Sequence, residues 1–256
     1  MWPTLFHWGE FSVQSYGLFV AMGFLLGLGL ALQEARRQGI PGERILDLSL
    51  VVILAALIGS RLLYILLDYQ TYLKDPWAFF KIWEGGLVFF GGLIPALVIG
   101  LWYIQKAGLP LWQTADVLAP SAAAGQVCGR LGCLAAGCCF GRPADVPWAI
   151  TFTNPASLAP LGIPLHPTQL YEALVALAIF ALLLILRRTL FFTGQILVGY
   201  LLLTGVARFL TEPFRGDYRG NLIGGAWSDT RYLSVLLIIF SLLLGFYLLK
   251  KREKRA

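Results

Sequence analysis

The sequence predicts an all-α membrane protein: seven transmembrane helices forming one polytopic domain over residues 1–256. Three observations carry that expectation. Hydrophobic residues make up 58% of the chain and charged residues only 13%, against about 25% charged in an average soluble domain. The mean hydropathy is +0.73, with several apolar runs of membrane length. Basic residues flank those runs, and five of them close the chain in KKREKRA directly after one. That distribution marks a membrane flank, so the net charge of +6 does not point to nucleic acid.

In chain order, Met1 to Gln14 is short and mixed, with Trp2, Phe6 and Trp8 suited to an interfacial belt. It lacks a basic n-region and an A-x-A site, so no cleavable signal peptide is expected there. The first span is expected over 16–34, followed by Arg36, Arg37 and Arg44. The second, 46–67, carries Arg61 and Tyr64. An aromatic segment with Pro76, Trp77 and Trp83 then reads as a hairpin lying in the interface. The third span is 86–105, ending at Lys106, and the fourth is 115–140. Five prolines between Gly141 and Leu165 define an ordered loop. Spans five to seven cover 166–186, 194–212 and 232–249.

Seven spans put the termini on opposite sides. Loops and tail on the C-terminal side hold eleven basic residues, and the opposite loops hold six. The positive-inside bias therefore predicts a cytoplasmic C-terminus, an outer N-terminus and a proline-rich loop on the periplasmic side. The three remaining arginines, Arg61, Arg130 and Arg208, fall inside spans, toward the outer side by position.

The chain is organised around GQVCGRLGCLAAGCCFGRP, from Gly125 to Pro143. Its glycines and alanines let neighbouring helices approach closely. Arg130 in its interior carries an insertion cost of roughly 2.5–3.5 kcal/mol, which a lipid-facing helix does not bear without reason. A buried cation wants an anion. Arginine is always charged, and its planar fork donates two parallel hydrogen bonds to phosphate oxygens, so a phospholipid head group suits it. The other reading is structural: Glu212 and Asp217 can pair with Arg208 or Arg215, and Arg61 can sit in a bundle-internal pair. The four cysteines, Cys128, Cys133, Cys138 and Cys139, match no zinc ribbon, and small-residue packing accounts for them.

Two further constellations stand out. In HPTQLYE, positions 166, 169 and 172 fall at i, i+3 and i+6 and can share one helix face. His166 there is either a functional group or part of a helix start with Pro167 near the first turn. In WEGGLVFFGGL, residues 83–93, glycine pairs serve either close backbone approach to a ligand or helix packing.

WEGGLVFFGGL, GRLGCLAAGCCFG with Arg130, HPTQLYE with His166 and RFLTEPFRGD with Arg208 and Arg215 follow one another on this frame. Together they resemble the bacterial prolipoprotein diacylglyceryl transferases, over nearly the whole chain. The resemblance implies a multi-pass enzyme of the inner membrane. It would move the diacylglyceryl group of phosphatidylglycerol onto the lipobox cysteine of a prolipoprotein signal peptide, forming a thioether and releasing glycerol phosphate. The partners so implied are phosphatidylglycerol, lipobox signal peptides and membrane lipids, with no nucleic acid and no cofactor.

Carried over by position, Arg130 matches the family's phosphatidylglycerol contact, Arg208 its second essential arginine and Tyr16 a tyrosine near the lipid pocket. Gly129, Gly132 and Gly137 match signature glycines, and Arg61, Glu212 and Arg215 complete the expected lipid-binding set. Arg130, Arg208 and His166 are the expected catalytic residues. The chain departs from the family at Cys133, Ala136 and Cys138, where many members carry asparagine and glutamate. At Phe90 many carry histidine, so a mechanism with that histidine as base does not transfer. Sulfur attack at a saturated carbon needs a thiolate and a stabilised phosphate leaving group, and it requires no metal. A transporter or flippase for an anionic lipid is the competing expectation; seven spans with no evident repeat between halves count against it.

Overall fold

The computed structural model describes residues 2–8, 11–74, 86, 88–217 and 227–253. Most of the expected interfacial hairpin, and part of the polar loop after Arg215, lie outside these residues. A two-stranded sheet opens the chain, β1 (Thr4–Trp8) and β2 (Phe11–Gln14). The helices are α1 (Ser15–Arg37), α2 (Gly42–Leu67), α3 (Tyr69–Lys74), α4 (Phe89–Lys106), α5 (Leu111–Ala136), α6 (Thr168–Leu186), α7 (Gln195–Thr211) and α8 (Asp229–Glu253). Between α5 and α6 a second small sheet pairs β3 (Ile150–Thr151) antiparallel with β4 (Pro164–Leu165).

Six of these helices are long and apolar enough to cross a membrane: α1, α2, α4, α6, α7 and α8. Their outward leucines and isoleucines are widely exposed, Leu66 at 72% and Ile185 at 62% for example, as lipid-facing surface requires. α5 is as long as α2 but is not among the six. Gln113, Asp116, Gln126 and Arg130 dilute its apolar character, which suits a helix surrounded by protein.

The chain divides into two compact units. One comprises Met1–Phe6, Val13–Leu30 and Ala115–Ala256, and the other His7–Ser12 and Ala31–Thr114. In the second unit α2 and α4 pack along glycine. A Cβ at Gly91 would lie 2.5 Å from the Leu63 Cβ and 2.8 Å from the Gly59 carbonyl oxygen. Gly91 and Gly92 of the WEGGLVFFGGL motif therefore serve helix approach in the manner of small-residue membrane interfaces.

In the first unit α5 meets the N-terminal half of α1 in the same way. A Cβ at Gly23 would stand 2.9 Å from both the Cys128 Cβ and the Gly125 carbonyl oxygen. Ala119 and Ala123 of α5 join Ile179 and Leu183 of α6 and Ile196 of α7 in one apolar cluster. Asp116 is buried at the start of α7, accepting the Gly194 N–H at 2.6 Å and the Leu197 N–H at 2.9 Å. A carboxylate there satisfies orphan donors at the positive end of the helix dipole. These contacts anchor α5, α6 and α7 and set the ends that carry the site.

α5 stops at Ala136 rather than running to Phe140. Gly137 turns the chain with φ +76°, a conformation only glycine adopts cheaply, and the Gly137 and Cys138 N–H groups return to the carbonyls of Leu134 and Cys133. The proline-rich loop is ordered, folded around fully buried Phe152 with Ala159 and Leu165.

Candidate active site

Glu172 is the hub of the first unit. It lies one turn into α6, its side chain 7% exposed, on the face that Gln169 shares. Its Oε2 takes Arg130 Nη1 at 2.7 Å from α5, and its Oε1 takes Arg215 Nη1 at 2.8 Å. The same Oε1 also accepts Arg208 Nη1 from the last turn of α7. Arg208 Nη2 reaches Glu212 at 3.1 Å, and Glu212 accepts the Ser228 hydroxyl at 2.7 Å. Arg215 forks onto Asp217 with Nε and Nη2, at 2.9 and 2.8 Å.

Local structure explains the convergence. Glu212, Pro213 and Phe214 form a 3-10 turn that ends α7, and Arg215 beyond it is extended and bridged to Gly141. Arg208, Glu212 and Arg215 thus leave one helix end toward Glu172. Burial opposes the Arg215 charge, but Asp217 and Glu172 outweigh it and hold its pKa above the ordinary arginine value.

The three arginines are not equivalent. The Arg215 side chain is 2% exposed and fully engaged, whereas Arg208 is 17% and Arg130 29% exposed. Arg130, Arg208 and Glu172 line an open groove with Gln126, Thr204 and Thr211. Glu172, Glu212 and Asp217 balance the three arginines in number, but Arg130 is the most exposed of the three and keeps donors on the groove. The groove is shaped to take an anion.

The remaining expected residues fall in different places. The Tyr16 ring packs on Gly132, where a Cβ would lie 3.4 Å from it, and Tyr16 is within electrostatic range of Arg130. Gly137 forms the turn after α5. Its side of the chain faces Ser157 and Leu158 of the loop. His166 precedes α6 instead of sharing its face, because Pro167 occupies the N-cap position. Its Nδ1 lies 3.2 Å from the Tyr171 hydroxyl, which also accepts Trp148 Nε1 at 2.6 Å, and its ring meets Phe214 edge-on at 5.4 Å. Arg61 belongs to the second unit and is 5% exposed. It donates to the Gly86 carbonyl at 3.2 Å and lies 5.5 Å from the Tyr72 ring centroid. Phe90, also in that unit, is exposed beside Phe89.

The family model described as prolipoprotein diacylglyceryl transferase matches residues 3–247. The chain belongs to that family. A phosphatidylglycerol--prolipoprotein diacylglyceryl transferase of Clostridium tetani is 31% identical over 242 residues, covering 94% of this chain and 96% of the relative. Those so named from Geobacillus kaustophilus and Vibrio atlanticus are each 35% identical, over 93% and 97% of this chain and 89% and 91% of their own lengths.

For a prolipoprotein diacylglyceryl transferase family member, two features of the site escaped sequence reasoning. The spacing puts Glu172 on one helix face with Gln169 but does not reveal it as the centre of the arginines. An isolated acid in an otherwise apolar span needs a cation, and that was the available signal. The second is a cluster of thiols: the sulfurs of Cys133, Cys138 and Cys139 all lie within 4.8 Å of one another. The sequence assigns these cysteines to small-residue packing, and their spacing matches no zinc ribbon. Their spacing conceals the convergence because the turn at Gly137, and Cys139 itself at φ +58°, fold the chain back. Hydrogen bonds with Cys133 and Cys138, joined by Arg215, hold the Cys139 thiol below the ordinary thiol range. At Cys138 a lowering hydrogen bond with Cys133 is outweighed, and the thiol is pushed up by its hydrogen bond to Cys139 and by burial.

Proposed function

We propose that this chain transfers the diacylglyceryl group of phosphatidylglycerol to the lipobox cysteine of a prolipoprotein. The observation that carries the reading is the open groove lined by Arg130 and Arg208, in which Arg130, the most exposed arginine of the network, keeps donors free of its pair with Glu172. The phosphodiester sits against the exposed donors of Arg130, with Arg208 adding its field and Tyr16 and Gly132 bordering the lipid. The substrate thiol gives its proton to water, the thiolate sulfur attacks the glycerol carbon, the C–O bond to phosphate breaks, and glycerol phosphate leaves with the electron pair. Charge that gathers on the departing oxygen is met by preorganised guanidinium groups, where such donors contribute most. Arg215, Glu212 and Asp217 hold those groups in place.

The test combines purified protein, phosphatidylglycerol and a lipobox peptide. The peptide mass should rise by one diacylglyceryl unit as glycerol phosphate appears. An unchanged peptide, with lipid moving between leaflets of a proteoliposome, would establish the transporter reading instead. In the same assay we assign His166 to orienting Tyr171 rather than to proton abstraction, on the strength of their 3.2 Å contact. His166→Gln should then stay within a few fold of the parent across pH. A loss of about 100-fold or more, together with loss of the acid limb of the rate profile, makes it the general base.

We further infer seven spans, with α5 as the seventh, in an inner membrane with the N-terminus outside and the C-terminus cytoplasmic. At 1.5 Å per residue, the 26 residues of α5 reach about 39 Å, more than the roughly 30 Å hydrocarbon core. Basic residues in the last turns of α1, α4 and α8 support the orientation. A cytoplasm-dependent reporter fused after Ala256 should be active, and one placed in the 141–165 loop silent. Activity from the loop fusion reverses the assignment.

A further inference from the structure

The thiol cluster is not needed by the ion pairs or the groove, yet it is built with care. Cys133 is buried in the last turn of α5, and Cys138 and Cys139 are half-buried in the turn that follows. The first residues of α6 clamp that turn. Thr168 Oγ1 donates to the Cys139 carbonyl and Gln169 Nε2 to the Cys138 carbonyl, both at 2.9 Å. Cys139 at φ +58° occupies a conformation that non-glycine residues rarely adopt. Cys128, the fourth cysteine, is outside the group.

Three sulfurs within 4.8 Å suit a thiolate-bound cation. With zinc–sulfur bonds of about 2.3 Å, sulfurs sharing one ion stand about 3.8–4.0 Å apart, which side-chain rotation alone can reach. Three protein ligands with a fourth position open is the arrangement of a reactive zinc site rather than a closed structural one. The cluster also borders the proposed chemistry. Cys139 hydrogen-bonds with Arg215, which holds Glu172, which holds Arg130, and Tyr16 is in electrostatic range of all three thiols and of Arg130. Arg215 supplies a fixed positive charge beside the thiolates.

We propose that Cys133, Cys138 and Cys139 bind zinc as three thiolates, and that the open position takes the thiol of the lipobox cysteine. The proposal rests on the transferase reading. On coordination the substrate S–H bond breaks, its proton goes to water and a zinc–sulfur bond forms, since a coordinating thiol is deprotonated outright. The bound sulfur then attacks the glycerol carbon: the S–C bond forms, the C–O bond breaks, and the phosphate leaves with its electron pair. Product thioether is a poorer ligand than thiolate and yields the position to water. No electron transfer is involved.

Full-length protein, purified in detergent under reducing conditions, is stripped of metal and loaded with cobalt as a visible stand-in for zinc. A thiolate-to-cobalt charge-transfer band is expected, and a lipobox peptide should shift it while the same peptide with serine for cysteine should not. Cys138→Ser should lose the band and slow transfer at pH 7 by about 30-fold, the shortfall of thiolate in a free thiol, recovering toward the parent rate as pH passes about 8.5, where a free thiol ionises unaided. Cys128→Ser should keep both properties. Should Cys138→Ser not fold, the metal-free parent provides the same comparison. Absence of the band, a disulfide persisting in the reduced protein, or full transfer by metal-free enzyme each overturns the proposal. Because the cobalt spectrum needs no turnover, loss of the transferase reading would appear separately, as a parent enzyme that binds metal but leaves the peptide unmodified.

Discussion

Replacing Arg130 by lysine should lower diacylglyceryl transfer by at least about 100-fold, with expression and thermal unfolding close to the parent. The charge survives the substitution; the fork does not. Arg130 spends Nη1 on Glu172 at 2.7 Å and, at 29% exposure, still has donors facing the groove. An ammonium at the end of a flexible stem cannot hold the carboxylate and also span two phosphate oxygens. Because the leaving phosphate gains charge as the C–O bond breaks, kcat should fall more than KM rises. Arg208→Lys gives the contrast: Arg208 already engages Glu172 and Glu212, so its part in the chemistry is mainly its field, and its loss of rate should be smaller. Initial rates with saturating lipobox peptide decide the matter. Near-parent transfer by Arg130→Lys reduces that residue to a structural ion-pair partner.

The helices were legible because lipid demands apolar surface and backbone self-satisfaction, which leaves long unmistakable runs. All six strongly apolar helices fall on expected spans, with ends shifted by a few residues. Where the reading failed, the chain changes direction without changing polarity. Cys138, Cys139 and Phe140 are as apolar as a helix end, so the fourth span was carried past Gly137, where a single positive φ ends it. Pro167 at the N-cap removes His166 from the face it was expected to share. The short strands, of two to five residues, carry too little pattern to read. At the site, Arg130 and Arg208 were visible as charges out of place. Their shared partner was not, since pairing between α5, α6 and α7 depends on how helix ends meet and not on spacing along any one of them.

Glu172→Leu should be the most destabilising single change in the site, by about 3–5 kcal/mol, and should abolish transfer. The carboxylate compensates Arg130, Arg208 and Arg215 at once, and two of those side chains are at least four-fifths buried. Removing it leaves Glu212 and Asp217 to hold Arg208 and Arg215, while the ion pair of Arg130 is lost outright. An uncompensated buried guanidinium costs far more than the pair it came from contributed. In detergent the unfolding midpoint should drop by roughly 6–20 °C. Glu172→Gln keeps the shape and an acceptor, so it should lose less, and its vacated negative charge creates a test the leucine variant cannot offer. Inorganic phosphate should raise the midpoint of Glu172→Gln more than that of the parent, because an anion that binds only the folded state stabilises by mass action. A leucine variant as stable as the parent would show that the three arginines find their compensation elsewhere. A glutamine variant indifferent to phosphate would show that the freed guanidinium groups do not face the groove, and the anion site would have to be sought away from Arg130.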